Sequence, residues 1–75
     1  MEPFVIDRNK WERIRMVDSS NQFHESISII DARKIAHDNG LDLVCFSAPE
    51  KDKMALCKII DFGKWRYQQE KEKGK

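Results

Sequence analysis

Met54-Ala-Leu-Cys-Lys-Ile-Ile-Asp-Phe-Gly-Lys-Trp-Arg-Tyr67 changes character halfway along its length. Met54 to Ile60 is an apolar run broken only by Lys58, the pattern of a buried or half-buried strand. Asp61 then offers a carboxylate to the free N–H groups of a first helical turn. Behind it Phe62, Lys64, Trp65, Arg66 and Tyr67 set flat rings beside positive charge, which suits a phosphate-and-base surface better than a core. A strand that feeds directly into such a helix needs only a small domain to hold it.

The residues upstream supply that domain. Arg13-Ile-Arg-Met-Val-Asp18 alternates, with Ile14 and Met16 to one face and Arg13 and Arg15 to the other, as a half-buried strand does. Asp18-Ser-Ser-Asn21 is a cluster of turn formers, and Gln22 to Ile27 reads as a short returning strand. Ser28 fits a helix N-cap, with Asp31 three residues on in place of the longer Glu of a capping box. Ile29, Ala32, Ile35 and Ala36 then follow helical spacing, and Asn39-Gly40 ends the helix because Gly reaches the left-handed conformation at little cost. Leu41 to Phe46 is a further strand, and Ser47 to Lys53 a charged loop containing Pro49. The helix from Asp61 runs to about Lys73. Met1 to Lys10 has no period and is expected to be a flexible lead. The expected organisation is therefore a lead over 1–10, an α+β domain over 11–61, and a C-terminal helix with a charged tail over 62–75. One helix crossing a small mixed sheet of about four strands is an α+β arrangement.

At 75 residues the chain holds one domain with a small core. Its net charge of +1 supplies no global field to draw it onto nucleic acid, so any such binding depends on local clusters of charge. No apolar run reaches the roughly 18 residues of a membrane span. Met1-Glu-Pro-Phe-Val lacks the basic and apolar regions of a signal peptide, and a cytoplasmic, membrane-free protein is expected. Cys45 and Cys57 fall in separate strands without a CxxC pair and read as small buried hydrophobes.

For catalysis the sequence offers little. Gly40 and Gly63 stand alone, so there is no phosphate loop. His24 and His37 have no Cys or Glu at metal spacing, and His37 reads as a solvated helix residue. No catalytic residue, metal or cofactor is expected. For nucleic-acid binding the candidates are concrete. Lys58 emerges from an otherwise apolar strand, Lys64, Arg66 and Lys71 lie on the closing helix, and Arg13 and Arg15 project from the first strand. Such cations neutralise phosphates in a salt-sensitive way. Phe62, Trp65 and Tyr67 can stack on bases or meet a protein partner. Against this, Phe62 and Trp65 share one side of the helix and can simply fold back over the sheet edge. The run Glu70-Lys-Glu-Lys73 alternates in sign, as solvated helices and frayed tails do.

Cys57-Lys-Ile-Ile-Asp-Phe-Gly-Lys-Trp-Arg-Tyr67 resembles the Cys-Lys/Arg-Ile-Met-Asp-Tyr-Gly-Lys-x-x-Tyr signature that ends the N-terminal domain of bacterial translation initiation factor 3. Asn39-Gly-Leu-Asp-Leu-Val44 resembles the Ala-Gly-x-Asp-Leu-Val after that domain's first helix, and Ile14-Arg-Met-Val-Asp18 its Val-Arg-Leu-Ile-Asp strand. The three blocks come in the family's order and cover about Arg13 to Tyr67. Phe62 replaces the signature's first Tyr, and Lys53-Met-Ala-Leu-Cys57 replaces its Lys-Pro-Pro-Val-Cys.

The resemblance implies a β-grasp-like sheet with the last helix projecting as the start of an interdomain linker, and the second domain of the family is absent from these 75 residues. It implies a non-enzymatic monomer. Its partners would be the small ribosomal subunit, through 16S-type rRNA and platform proteins, and initiator tRNA. It would support initiation fidelity and subunit anti-association, in a bacterium or a bacterial-type organelle. Position by position, it assigns RNA or tRNA contact to Arg15, Lys58, Lys64 and Tyr67, and charge adds Arg66. Phe62 and Trp65 remain as stacking or protein-interface residues. A different reading is a stand-alone adaptor that grips a translation-related protein through the aromatic helix.

Overall fold

Alternation along the second strand decides which face of the sheet is buried. Ile14 and Met16 are completely buried, while Arg13 is exposed and Arg15 and Val17 are half-buried on the opposite face. The computed structural model describes residues 2–73. It runs β1 (Phe4–Val5), β2 (Arg13–Val17), β3 (Phe23–Ser28), α1 (Ile29–Asp38), β4 (Asp42–Ser47), β5 (Leu56–Ile60) and α2 (Phe62–Lys73). The five strands form one sheet in the order β1-β4-β5-β2-β3. Only β2 and β5 are parallel, and the other three pairings are antiparallel. This is the expected α+β architecture, a mixed sheet crossed by one helix and followed by a second at its C-terminus, with one strand more than the sequence suggests.

α1 covers one face of the sheet. Its N-cap is Ser28, whose Oγ accepts from Ile30 N at 3.3 Å. It buries Ile29, Ala32 and Ala36, and the two alanines let its backbone approach the strands closely. Under it lie Ile14, Met16, Leu43, Cys45, Cys57 and Ile59, with Ile6 and Ala55 completing the core. The helix stops through paired bonds from Gly40 N to the His37 carbonyl and Leu41 N to the Ala36 carbonyl. That closure needs a left-handed residue, and Gly40 has φ 66°. His37 sits exposed in the last turn, as its position in the sequence suggests.

The β2–β3 connection is organised by one carboxylate. Asp18 Oδ1 accepts from Ser20 N and Gln22 N, both at 2.9 Å, and Oδ2 accepts from His24 Nε2 at 2.9 Å. The His24 bond, then the backbone bonds, hold the Asp18 carboxyl below its ordinary range. Between Ile14↔Ile27 and Met16↔His24 two steps on β2 face three on β3, so β3 carries a bulge.

The expectation of a flexible lead over 1–10 is corrected. Phe4 and Val5 pair with Cys45 and Val44, Ile6 N donates to the Leu43 carbonyl at 2.8 Å, and Ile6 is 5% exposed. Arg33 clamps the following residues, donating to Asn9 Oδ1 at 2.8 Å and to the Asp7 carbonyl at 3.0 Å. Lys10 lies over the Phe4 and Trp11 rings, and Trp11 packs half-buried against the core. A strand of two residues is too short to show a period, so only its tertiary partners reveal it. Met1 and residues 74–75 of the expected tail lie outside the described residues.

Burial pushes the Cys57 thiol up to about 12 and also raises that of Cys45, from an ordinary value of 9.0. Both groups are neutral in the fold and ionise more readily once unfolded. Their stabilising contribution is thus complete below about pH 9 and is lost as pH climbs toward about 12. Urea midpoints measured across that range should fall with pH, and Cys57→Ala should flatten the decline. Gly40→Ala forces a side chain into the left-handed region although no atom lies within 4 Å of the new Cβ. It should cost about 1–2 kcal/mol in urea unfolding. Gly63→Ala, where the new Cβ meets only Asp61 Oδ1 at 3.7 Å, should be neutral or stabilising by up to about 1 kcal/mol.

Candidate nucleic-acid interface

The face of the sheet opposite α1 is built by the other half of each alternation. Val44 lies directly opposite Lys58 on β5, and Val17 lies opposite Lys58 from β2. Arg15 pairs in register with Leu56, so Arg15 and Lys58 share this face on neighbouring strands, two residues out of step. Both are cations on strands whose reverse side is core, and their charged ends can emerge only on this side. Arg15 has a structural duty as well. Its Nε donates to the Met54 carbonyl at 2.9 Å, tying the chain that leads into β5 to β2. Arg13 turns toward β3, donating from Nε to Ser26 Oγ at 2.7 Å and from a terminal nitrogen to the Ser26 carbonyl at 3.1 Å.

α2 starts one residue after β5. Asp61 is its N-cap, its Oδ1 accepting from Lys64 N at 3.1 Å. Asp42, reaching across from β4, accepts from Phe62 N at 3.2 Å. Two carboxylates therefore meet the free N–H groups and the positive end of the helix dipole. A ladder of rings then fixes the helix to the sheet. Lys58 Nζ lies 5.4 Å from the Phe46 ring centre. Phe46 meets Trp65 edge-on at 5.4 Å and 77°, and Trp65 stacks on Phe62 at 5.9 Å and 15°. Arg66 closes the series 5.8 Å from the Phe62 ring. These distances suit attractive quadrupole and cation–ring contacts.

The structure thus splits the sequence-derived site residues into groups. Arg15 and Lys58 come together on the sheet. Phe62 and Trp65 are half-buried along α2 and, with the exposed Arg66, border a cavity of about 300 Å³ with Glu2, Pro3, Gln69 and Glu70. Arg66 also pairs with Glu70 at 3.8 Å, a largely exposed contact of little energetic weight. Lys64, Tyr67 and Lys71 recur at i, i+3 and i+7, and all are exposed, Tyr67 by 65%. They form one outward stripe on the helix. Among the described residues neither Lys58 nor Lys64 takes part in an ion pair.

Phe46 and Asp42 are site residues that sequence reasoning misses. Their signal was present: Asp42, Val44 and Phe46 alternate with the core residues Leu43 and Cys45. The sequence reads as continuously apolar there because Val44 is buried on the second face too. No helix among the described residues is long and apolar enough to cross a membrane, and no group of three or more metal-binding side chains occurs among them. Trp65→Ala removes the ring that holds α2 against Phe46. It should cost roughly 2 kcal/mol, less than the about 3–5 kcal/mol of a fully buried ring, and should lower far-ultraviolet helicity as α2 frays.

Comparison with known proteins places this geometry. Residues 8–75 match the family model described as "Translation initiation factor IF-3, N-terminal domain". A translation initiation factor IF-3 of Prochlorococcus marinus subsp. pastoris is 41% identical over 70 residues, 93% of this chain and 36% of the relative. A chloroplastic IF-3 of Gracilaria tenuistipitata var. liui is 40% identical over 72 residues, 96% of this chain and 39% of the relative. The IF-3 of Campylobacter jejuni subsp. doylei is 44% identical over 71 residues, 95% of this chain and 40% of the relative. The chain therefore spans about two-fifths of the length of these curated relatives. With the match running through β2, α1, β5 and α2 alike, the chain belongs to the family of translation initiation factor IF-3 N-terminal domains.

Proposed function

We propose that this domain binds the small ribosomal subunit, at rRNA and proteins of the platform, and initiator tRNA, and so supports initiation fidelity and subunit anti-association. The observation that carries the reading is the joint placement of cations. Arg15 and Lys58 emerge on the sheet face free of α1, and α2 leaves that sheet bearing Lys64, Tyr67 and Lys71 on its outward side. An RNA backbone crossing from sheet to helix meets positive charge on both. Tyr67 offers the exposed ring for a base, since Phe62 and Trp65 are already stacked on each other. Bacterial and chloroplastic factors carry the similar domain, which supports a bacterial cytoplasm or a bacterial-type organelle as the place of action.

With few cationic groups on this surface and a net charge of only +1, the domain alone should bind weakly, at about micromolar Kd or above. Co-sedimentation with purified small subunits over a salt series tests the assignment. Lys58→Ala with Lys64→Ala should weaken binding and make the slope of log affinity against log salt shallower by about 1 for each phosphate no longer neutralised. Unchanged binding at every salt concentration would remove both residues from the interface.

A further inference from the structure

Cys45 and Cys57 stand directly opposite each other across the β4–β5 pair. Both are completely buried and both are free thiols. The hydrogen-bonding phase of their pairing follows from two bonds elsewhere. Ile6 N donates to the Leu43 carbonyl, so Leu43 turns its backbone groups toward β1, and Cys45, two residues on, turns the same way. Arg15 N donates to the Ala55 carbonyl, so Ala55 faces β2, and Cys57 does likewise. Neither cysteine directs its backbone N–H or C=O at the other. Theirs is the non-hydrogen-bonded phase, in which antiparallel Cα atoms lie closest, about 4.5 Å apart. A disulfide spans Cα separations of about 4.4–6.8 Å. The two side chains leave on the same face of the sheet, with Cys45 Sγ donating to the Ser47 carbonyl at 3.5 Å.

We propose that Cys45 and Cys57 form a modification site, a reversible cross-strand disulfide made when hydrogen peroxide reaches the pair. One thiolate attacks the peroxide, forming an S–O bond as the O–O bond breaks, and the hydroxide released leaves as water with that thiol's proton. The second sulfur displaces hydroxyl from the resulting sulfenic acid. An S–S bond forms, the S–O bond breaks, and a second water carries off the remaining thiol proton. Two electrons pass from two thiols to one peroxide.

In the closed domain the reaction is held back, because the thiols are shielded from solvent and burial disfavours their reactive anions. Oxidation therefore waits on opening of the α1-covered face. Once made, the bond fastens β4 to β5 beneath Phe46 and Lys58, the residues that follow Cys45 and Cys57 in the chain. It also closes the 45–57 loop in the unfolded state, which stabilises the fold. The inference is independent of any ribosomal role.

The test treats the intact chain with hydrogen peroxide in urea near its unfolding midpoint, then removes both. Free thiols, intact mass and thermal unfolding are measured. Both thiols should vanish together from a monomer whose mass falls by two hydrogen atoms, and dithiothreitol should restore them. The oxidised chain should melt roughly 10 °C or more above the reduced one. Cys45→Ala and Cys57→Ala chains should show neither the mass loss nor the gain in melting temperature. Oxygen adducts, intermolecular dimers, an unreactive pair in partly unfolding urea, or a bridged chain that melts no higher would each overturn the proposal. Those outcomes are read on the unsubstituted chain, so they stand even if a variant fails to fold.

Discussion

Asp61 is the single residue between β5 and α2, and that short span constrains most of what the domain presents to a partner. β5 is paired on both sides, by β4 and β2, and is sealed on one face by Cys57 and Ile59. Its position cannot drift without breaking two ladders. The helix therefore leaves the sheet from a fixed point. Asp61 and Asp42 satisfy its first N–H groups, and the Phe46–Trp65 contact holds its first turns down. Beyond Trp65 the described side chains of α2 are exposed, so its outer half takes its direction from the first turns rather than from packing of its own.

Charge in this chain is a matter of placement rather than quantity. With 14 basic and 13 acidic residues there is no excess to spread over a surface. Several cations are engaged within the domain: Arg33 holds the N-terminal segment, Arg13 binds Ser26, and Arg15 braces the Met54 carbonyl. Lys58 on the open sheet face and Lys64 and Lys71 along α2 are among those left to act outward. Arg66 is exposed as Lys64 is, but it lies over Phe62 and beside Glu70, whereas among the described residues no ion pair engages Lys64. Residues two apart on a helix point to different surroundings, and equal charge does not make them equal in role.

The cores on the two sides of the sheet differ in kind. Under α1 the contacts are aliphatic and sulfur, made of side chains that fit between a helix and strands without polar demands. On the other side, ring faces and edges meet cations, and every charged partner keeps access to water. The first arrangement supplies the stability of a small domain. The second leaves charged groups exposed without burying an unpaired charge.

By itself the sequence determined the local elements: the alternation of β2, the Ser28 cap and Asn39-Gly40 end of α1, and the change from strand to helix at Asp61. Each is written in neighbouring residues, where a period of two or of 3.6 and a capping side chain carry the signal. It also placed Cys45 and Cys57 inside, and the family blocks within it marked out the domain. Only tertiary structure decided that Phe4–Val5 is a strand, because two residues become one only when β4 lies beside them. The same holds for the facing of Cys45 and Cys57, the reach of Asp42 to Phe62, and the docking of Trp65 on Phe46. These contacts join residues far apart in the chain, and their geometry depends on which strands become neighbours, which no single local segment specifies.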